Sequence, residues 1–222
     1  MTLICHSKKF IFLKTRKTGG TTLEMALQGY CAPGREVEER TGYVETPEGV
    51  IGSRAYDGSP APVFEHMPAG KVRAWVGPEI WNSYAKVAVV RNPYEKLVSE
   101  FYWQRRQARD LPAMGQIAEF RKWVQSDDRK WTIEDHSILS IQGRLVVDHL
   151  VRHESFGAAV VRLAADLGLE PLALTDFKTG IRPRQIEIIQ YYDRDTVNYV
   201  RQNFAYELAT FGYGLDSLFP FP

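Results

Sequence analysis

The segment KTRKTGGTT, residues 14–22, brings cations, glycines and hydroxyl side chains together in one short stretch. Glycines allow the backbone to take positive φ and to approach a bound group closely. Backbone N–H groups at the start of a helix point outward without intrahelical partners and favour anions. The first 23 residues also contain no Asp or Glu. The segment therefore predicts a site for a phosphate or a similar anion, with Lys17 as a mobile cation.

The order of residues in this loop separates it from the common nucleotide loop, G-x-x-x-x-G-K-S/T. In that loop the lysine follows the last glycine, whereas Lys17 precedes both Gly19 and Gly20. A kinase also needs an acidic residue that organises Mg²⁺ near the phosphates, but the apolar stretch 85–90 ends in Arg91. A cation there attracts a second phosphate and repels a metal ion. We therefore expect the protein itself to neutralise the phosphates of its ligand, without a metal.

The segment VVRNPYEKLVSEFYW, residues 89–103, is the second motif. Arg91 ends an apolar strand, and Ser99 lies eight residues further on, two turns into the following helix. Asn92 and Pro93 suit the N-cap and the first helical position. A lone helical serine is usually a surface residue, and Ser99 lies beside the apolar stripe of this helix without being part of it.

Both motifs belong to a chain of alternating strands and helices, as apolar runs and helical periodicity show. Such alternation predicts an α/β fold with a central parallel sheet, in which ligands bind at the carboxyl ends of the strands. Lys17 and Arg91 both follow strand ends, and we expect them on the same rim. The predicted strands cover 10–14, two short stretches around the Pro-Glu-Gly turn at 47–49, 63–66, 85–91 and 144–154. The predicted helices cover 21–30, one that opens at Pro68, 94–109, 116–125, 156–167 and 197–211.

Composition and charge narrow the classes of protein. The 222-residue chain has a net charge of +1, which gives no general case for nucleic-acid or membrane binding. No apolar run approaches the ~18 residues of a membrane-spanning helix, and a cytoplasmic location is the default expectation. Cys5 and Cys31 show no metal or disulfide spacing and are expected to be reduced structural thiols. We expect a single domain over residues 1–222, with an insertion at about 31–62 that forms a lid on the acceptor side.

Together the two motifs resemble the sulfotransferases that use 3′-phosphoadenosine 5′-phosphosulfate (PAPS), most closely the branch of carbohydrate and other bacterial sulfotransferases. Two later segments fit more loosely: VVDHLVRHESF at 146–156, with His153 where the family usually has Phe, and FAYELATFGY at 204–213. The resemblance implies a P-loop NTPase-like three-layer α/β/α fold. It also implies transfer of a sulfuryl group from PAPS to an acceptor, which leaves 3′,5′-ADP and requires no metal.

The resemblance also assigns roles to residues of both motifs. It implies that the first loop holds the 5′-phosphosulfate, with Lys17 on the leaving group, and that Arg91 and Ser99 bind the 3′-phosphate. A later basic loop resembles the one that closes over PAPS in the family. The residues expected to bind the cofactor are Arg16, Lys17, Thr18, Gly19, Gly20, Thr21, Thr22, Arg91, Ser99, Lys178 and Arg182.

The acceptor of a sulfuryl group must lose a proton, which calls for a general base. Histidine is the commonest base because its pKa lies near the working pH. His66, in the segment FEHMPAG, is the predicted base, and Glu65 is the second candidate. Lys14 is expected to be solvated, and His149 and His153 are expected to be structural.

The acceptor itself is predicted only as a class. Residues 31–62 hold six acidic residues against three arginines, and such a charge balance disfavours a polyanionic acceptor. We expect a neutral or cationic small molecule or carbohydrate. Tyr102 and Trp103 are expected either in the core or in the lining of the acceptor pocket. Two alternatives stay open: a nucleotide kinase with a variant phosphate loop, and a non-catalytic module that binds an anionic nucleotide.

Overall fold

The structure is a computed structural model that describes residues 1–39, 42–54, 61–126, 133–174 and 185–216. The chain divides into two compact units. The first comprises Met1–Val90 with Asp135–Phe177, and the second comprises Arg91–Glu134 with Lys178–Pro222. Each unit is described by itself, and the predicted single domain over residues 1–222 stays a prediction.

The first unit is built on a six-stranded sheet. In chain order the described strands are β1 (Leu3–Cys5), β2 (Phe10–Phe12), β3 (Val44–Thr46), β4 (Gly49–Ile51), β5 (Ala85–Val90), β6 (Ser140–Ile141), β7 (Arg144–Leu145) and β8 (His149–Arg152). The main sheet has the order β3-β4-β1-β2-β5-β8, and β6 with β7 forms a separate pair. Strands β2, β5 and β8 run parallel to one another, so their carboxyl ends share one edge.

The α/β class is confirmed, but the prediction of a parallel sheet is wrong for half of the strands. Strand β1 runs antiparallel to both β2 and β4, and β3 runs antiparallel to β4. The sheet is therefore mixed. The apolar runs predicted to be interior strands form β2 and β5, and most of their residues are buried. The three-residue β1 has no alternation or length that identifies it, and its pairing direction depends on residues far along the chain.

The described helices come before, between and after these strands along the chain. In chain order they are α1 (Gly20–Cys31), α2 (Ala69–Ser83), α3 (Pro93–Gln104), α4 (Ala113–Gln125), α5 (His136–Leu139), α6 (Phe156–Asp166), α7 (Ile188–Tyr191), α8 (Arg194–Asn203) and α9 (Ala205–Phe211). Short 3₁₀ turns cover Arg106–Asp110 and His153–Ser155. The core of the first unit joins apolar side chains of the sheet to those of α1 and α6, among them Leu3, Phe12, Val87, Leu23, Leu27, Val160 and Leu163.

Several predicted elements end or divide at other residues. The strand expected at 144–154 becomes β7, β8 and a 3₁₀ turn, because Arg144–Leu145 pairs with β6 while His149–Arg152 pairs with β5. The helix expected at 197–211 is two helices, α8 and α9, which meet at Phe204 with a non-helical backbone. The strand expected at 63–66 is a single bridge between Ser53 and Phe64.

The described part of the 31–62 segment belongs to the main sheet. The predicted pair of short strands around the Pro-Glu-Gly turn is confirmed as the β3–β4 hairpin. Strand β4 also pairs with β1, with Leu3 opposite Ile51, and its residues are buried. This hairpin therefore extends the sheet at its edge. A lid on the acceptor side stays a prediction.

The second unit confirms the helix predicted after Arg91. Asn92 is the N-cap of α3 and accepts a hydrogen bond from Tyr94 N at 3.0 Å, and Pro93 is the first helical residue. The predicted apolar stripe of this helix is at most 2% exposed. Tyr102 lies fully in the core, where its hydroxyl is 2.6 Å from Tyr191 Oη. Of its two predicted roles, Tyr102 therefore has the core one.

Two further findings concern the described residues as a whole. No helix within them combines the length and the hydropathy needed to cross a bilayer. Cys5 and Cys31 are both buried free thiols, as the sequence predicts.

Candidate anion site after the second strand

The loop between β2 and α1 is fastened to the sheet by two threonines. Thr15 Oγ1 donates to the carbonyl oxygen of Val89 in β5 at 2.5 Å, and it lies 2.8 Å from Thr18 Oγ1. Because Thr15 has only one hydroxyl hydrogen and Val89 O can only accept, Thr18 must be the donor in the second contact. This pair of hydroxyls closes a turn around Arg16 and Lys17. The hydroxyl of Thr18 is thereby committed, which leaves its backbone N–H as the group it can offer to an anion.

Lys17 lies at the top of this turn with an unusual backbone conformation. Its φ is +57°, in the left-handed region that costs a non-glycine residue on the order of 1 kcal/mol. The residues on either side hold it there. Thr15 and Thr18 join as described, and the N–H of Arg16 donates to Asp135 Oδ1 at 3.0 Å. Lys17 is half-buried.

Gly19 is required by its conformation and by its surroundings. It is the N-cap of α1 with φ +78°, and a Cβ placed on it would lie 2.9 Å from His153 Nδ1. His153, just past β8, therefore packs against the loop that follows β2. Gly19 has no side chain to cap the helix, and Thr22 N–H donates to the carbonyl oxygen of Gly19 at 3.1 Å. The N–H groups of Gly20 and Thr21 are therefore those that the start of α1 can offer to a ligand. The structural role expected for His153 stays a prediction.

The expectation that Lys14 is solvated is wrong. Lys14 is 4% exposed, and its amino group contacts the Glu24 carboxylate of α1 and Thr21 Oγ1, the latter at 3.0 Å. Glu24 is fully buried and also accepts from Arg54 Nη2 at 3.2 Å. Burial alone would raise the pKa of Glu24, but the charges of Lys14, the Met1 amino group and Arg54 hold it at about 2. The strand-end lysine thus anchors α1, and Thr21 still has its own hydroxyl hydrogen to donate.

His66 contacts the same loop from the segment that follows β4. Its Nδ1 lies 3.0 Å from the carbonyl oxygen of Lys14. A carbonyl only accepts, so this contact assigns the ring hydrogen to Nδ1 and the lone pair to Nε2. The side chain is 27% exposed. Burial, followed by the charge of Arg16, lowers the pKa of His66 to about 3. His66 is therefore neutral at pH 7, with Nε2 able to accept a proton.

Glu65, the second candidate base, is held by an arginine. Its Oε2 lies 3.2 Å from Arg54 Nε and 3.7 Å from His66 Nε2. Arg54 is 6% exposed and also contacts Glu39 at 3.0 Å. Arg54 thus joins Glu24, Glu39 and Glu65 in one ion cluster beside His66. Glu65 is thus ion-paired with Arg54, and the choice between the two candidate bases stays a prediction.

The remaining predicted cofactor residues lie in the second unit or outside the described residues. Arg91 directly follows β5, and its Nε lies 3.0 Å from Glu95 Oε2 one turn along α3. Ser99 is half-buried and lies beside the apolar stripe of α3. Lys178 and Arg182 lie outside the described residues.

Four residues of this site have no signal in the sequence: Glu24, Arg54, Asp135 and His153. Asp135 and His153 lie against the loop although both are distant from it along the chain. Arg54 pairs with Glu24 and Glu65. The helical position of Glu24 gives no hint of an ion pair. The closest clue is the loose resemblance around His153, which marks the segment but not the contact with Gly19.

Comparison of the chain with protein-family models, with curated proteins and with solved structures found no match. The fold therefore defines only a structural class: an α/β protein with a mixed six-stranded sheet.

Proposed function

We propose that the protein is a PAPS-dependent sulfotransferase. The observation that carries the proposal is the geometry of the loop between β2 and α1. Lys17 stands at the top of a turn closed by Thr15 and Thr18, and the chain then enters the N-terminus of a twelve-residue helix at Gly20. A lysine in the turn that leads into a helix N-terminus is suited to a phosphate or a phosphosulfate.

Lys17 stabilises the leaving group in this proposal. Bound PAPS supplies the sulfuryl group, whose departure places negative charge on the bridging oxygen of the 5′-phosphate. A cation held at that oxygen stabilises the transition state more than the ground state. Thr21, Thr22 and the N–H groups that start α1 hold the phosphate, and Arg91 with Ser99 binds the 3′-phosphate.

His66 accepts the proton of the incoming hydroxyl or amine. The contact of Nδ1 with Lys14 O fixes the ring, and the lone pair of Nε2 is the accepting site. A pKa of about 3 makes the imidazole a weak base but keeps it wholly unprotonated at pH 7. The acceptor is a neutral or cationic small molecule or carbohydrate, because the acidic side chain of Glu65 lies 3.7 Å from His66 Nε2.

A nucleotide kinase with a variant loop is the second candidate, and one observation favours it. The carboxylate of Asp135 contacts the loop at Arg16, and a kinase needs carboxylates near its phosphates for Mg²⁺. The two functions differ in their need for metal. A kinase binds ATP with Mg²⁺, whereas the proposed sulfotransferase binds PAPS and 3′,5′-ADP in the presence of a chelator.

The proposal is tested by the release of 3′,5′-ADP from PAPS in the presence of a panel of carbohydrate and small hydroxyl or amine acceptors. Lys17→Ala should lower the rate on the order of 10²-fold, the usual cost of one lost transition-state contact. Lys9→Ala is the matched control, because Lys9 also has positive φ (+52°) but precedes β2 at its other end. Its rate should match that of the wild type.

Three results would contradict the proposal. PAPS that binds without being consumed with any acceptor indicates a non-catalytic module. Binding of ATP that requires Mg²⁺ indicates a kinase. Equal rates for Lys17→Ala and Lys9→Ala remove Lys17 from the reaction.

A further inference from the structure

Asp135 is an acidic residue that contacts the loop between β2 and α1. It is 1% exposed and occupies the N-cap position of α5. An aspartate at an N-cap ordinarily accepts from an N–H group in the first turn of its own helix, but the side chain of Asp135 makes no such bond. Its two carboxylate oxygens instead lie 3.0 and 3.3 Å from the backbone N of Arg16, and Oδ1 lies 3.6 Å from the guanidinium.

This contact joins residues 119 positions apart in the chain, both in the first unit. It adds a third fastening to the turn that the hydroxyls of Thr15 and Thr18 close. Arg16 immediately precedes Lys17, whose backbone is in the left-handed region. A strained conformation persists only where its surroundings fix it. Asp135 is therefore placed to hold the Thr15–Arg16 peptide, one residue before the strained lysine.

We propose that Asp135 is a positioning residue that presets the loop for the 5′-phosphosulfate. The inference rests on the proposed function for the identity of the nucleotide. The N–H of Arg16 donates to the carboxylate and is not available to an anion. The loop therefore offers an anion the donor groups of the residues from Lys17 onward. The carboxylate also partly offsets the Arg16 charge, which leaves Lys17 as the principal cation of the turn.

A positioning role and a merely structural role differ in what they do to ligands. Loss of a structural contact lowers stability and weakens every ligand alike. Loss of the Asp135 contact should weaken only ligands that place a phosphate in the loop, which includes 3′,5′-ADP and inorganic pyrophosphate. Adenosine 3′-monophosphate lacks the 5′-phosphate and should be unaffected.

Asp148 provides a matched control in the same unit. Its Oδ2 accepts from the backbone N of Lys86 at 2.7 Å and lies 2.8 Å from the amino group of that lysine. This is the same kind of clamp, a carboxylate on a backbone N–H and on the cation of one residue. It acts at the beginning of β5, whereas the loop follows the carboxyl end of β2.

The experiment is calorimetric titration of three probes into the wild-type protein, Asp135→Ala, Asp135→Asn and Asp148→Ala. Asp135→Ala should weaken 3′,5′-ADP and pyrophosphate about tenfold or more, since a charge-assisted hydrogen bond is worth that much. Adenosine 3′-monophosphate should change less than about twofold. Asp135→Asn, whose amide oxygen can still accept from Arg16, should remain within about threefold of the wild type. Asp148→Ala should change none of the three.

An equal loss on all three probes, or no loss on any, overturns the positioning role. If Asp135→Ala does not fold, Asp135→Glu displaces the carboxylate by one methylene and must show the same selective loss. A wild-type protein that binds pyrophosphate but not 3′,5′-ADP overturns the proposed function, and the pyrophosphate titration of the variants then decides the role of Asp135 alone. A wild-type protein that binds neither overturns both.

Discussion

At the residue scale, backbone strain coincides with the residues assigned to chemistry. Four non-glycine residues among those described have positive φ, and two of them are Lys17 and His66. These are the residues predicted from the sequence to act on the leaving group and as the base. Left-handed backbone at a bulky residue persists only when neighbouring contacts fix it, and such fixed positions concentrate at functional sites. Lys17 lies within the loop after β2, and His66 contacts this loop at the carbonyl oxygen of Lys14.

The protonation of His66 should make stability depend on pH. Its pKa is about 3 in the folded protein against an ordinary value of 6.5, so between these values the unfolded chain binds one proton more. The free energy of unfolding should therefore fall on acidification below about pH 6.5, by up to about 1.4 kcal/mol for each pH unit. His66→Asn tolerates positive φ and should be less sensitive. Urea unfolding at pH 7, 6 and 5 measures this, and equal slopes for both proteins contradict it.

Gly19 should tolerate no side chain, for two separable reasons. Gly34 has nearly the same φ, +77° against +78°, but nothing lies within 4 Å of a Cβ placed there. Gly34→Ala should cost about 1 kcal/mol from strain. Gly19→Ala should cost at least about 1 kcal/mol more, because its Cβ meets His153.

A thermodynamic cycle with His153→Ala checks this assignment. In the His153→Ala background, the cost of Gly19→Ala in urea unfolding should fall to that of Gly34→Ala. A cost that does not change shows that His153 is not the obstacle.

At the element scale, the attachment of α1 to β2 depends on a buried charge. Glu24→Gln leaves Lys14 buried without its carboxylate, whereas Arg54 keeps Glu39 and Glu65. The loss of one partner from a buried ion pair costs about 3–5 kcal/mol. Urea unfolding measures the loss, with Glu79→Gln on the exposed face of α2 as the control at less than about 0.5 kcal/mol. A loss below about 1 kcal/mol at Glu24 contradicts this account of the ion cluster.

The elements that could be predicted from the sequence are those with local causes. The buried runs of β2 and β5 and the capped start of α3 depend on adjacent residues, and the structure has them. The direction of β1 and the division of the 144–154 stretch depend on which distant strand each segment meets. The same dependence on distant residues limits prediction of the site. The loop after β2 could be predicted from adjacent residues, whereas Arg54 and Asp135 contact partners 30 and 119 residues away.

At the scale of the whole molecule, a net charge of +1 leaves recognition to local groups. If Arg91 binds the 3′-phosphate, Arg91→Ala should weaken 3′,5′-ADP by tenfold or more, since hydrogen bonds to charged groups contribute about 1.5–3 kcal/mol. Binding of 5′-ADP, which lacks the 3′-phosphate, should change little. Arg105→Ala, at the other end of α3, is the control for both ligands. Equal losses for the two nucleotides contradict the role of Arg91.

The most direct test of the central claim is calorimetric titration of the wild-type protein with 3′,5′-ADP and with 5′-ADP in the presence of a chelator. A PAPS-dependent sulfotransferase should bind 3′,5′-ADP at least tenfold more tightly and without Mg²⁺. Equal affinity for the two nucleotides, or binding that appears only when Mg²⁺ is added, would contradict it.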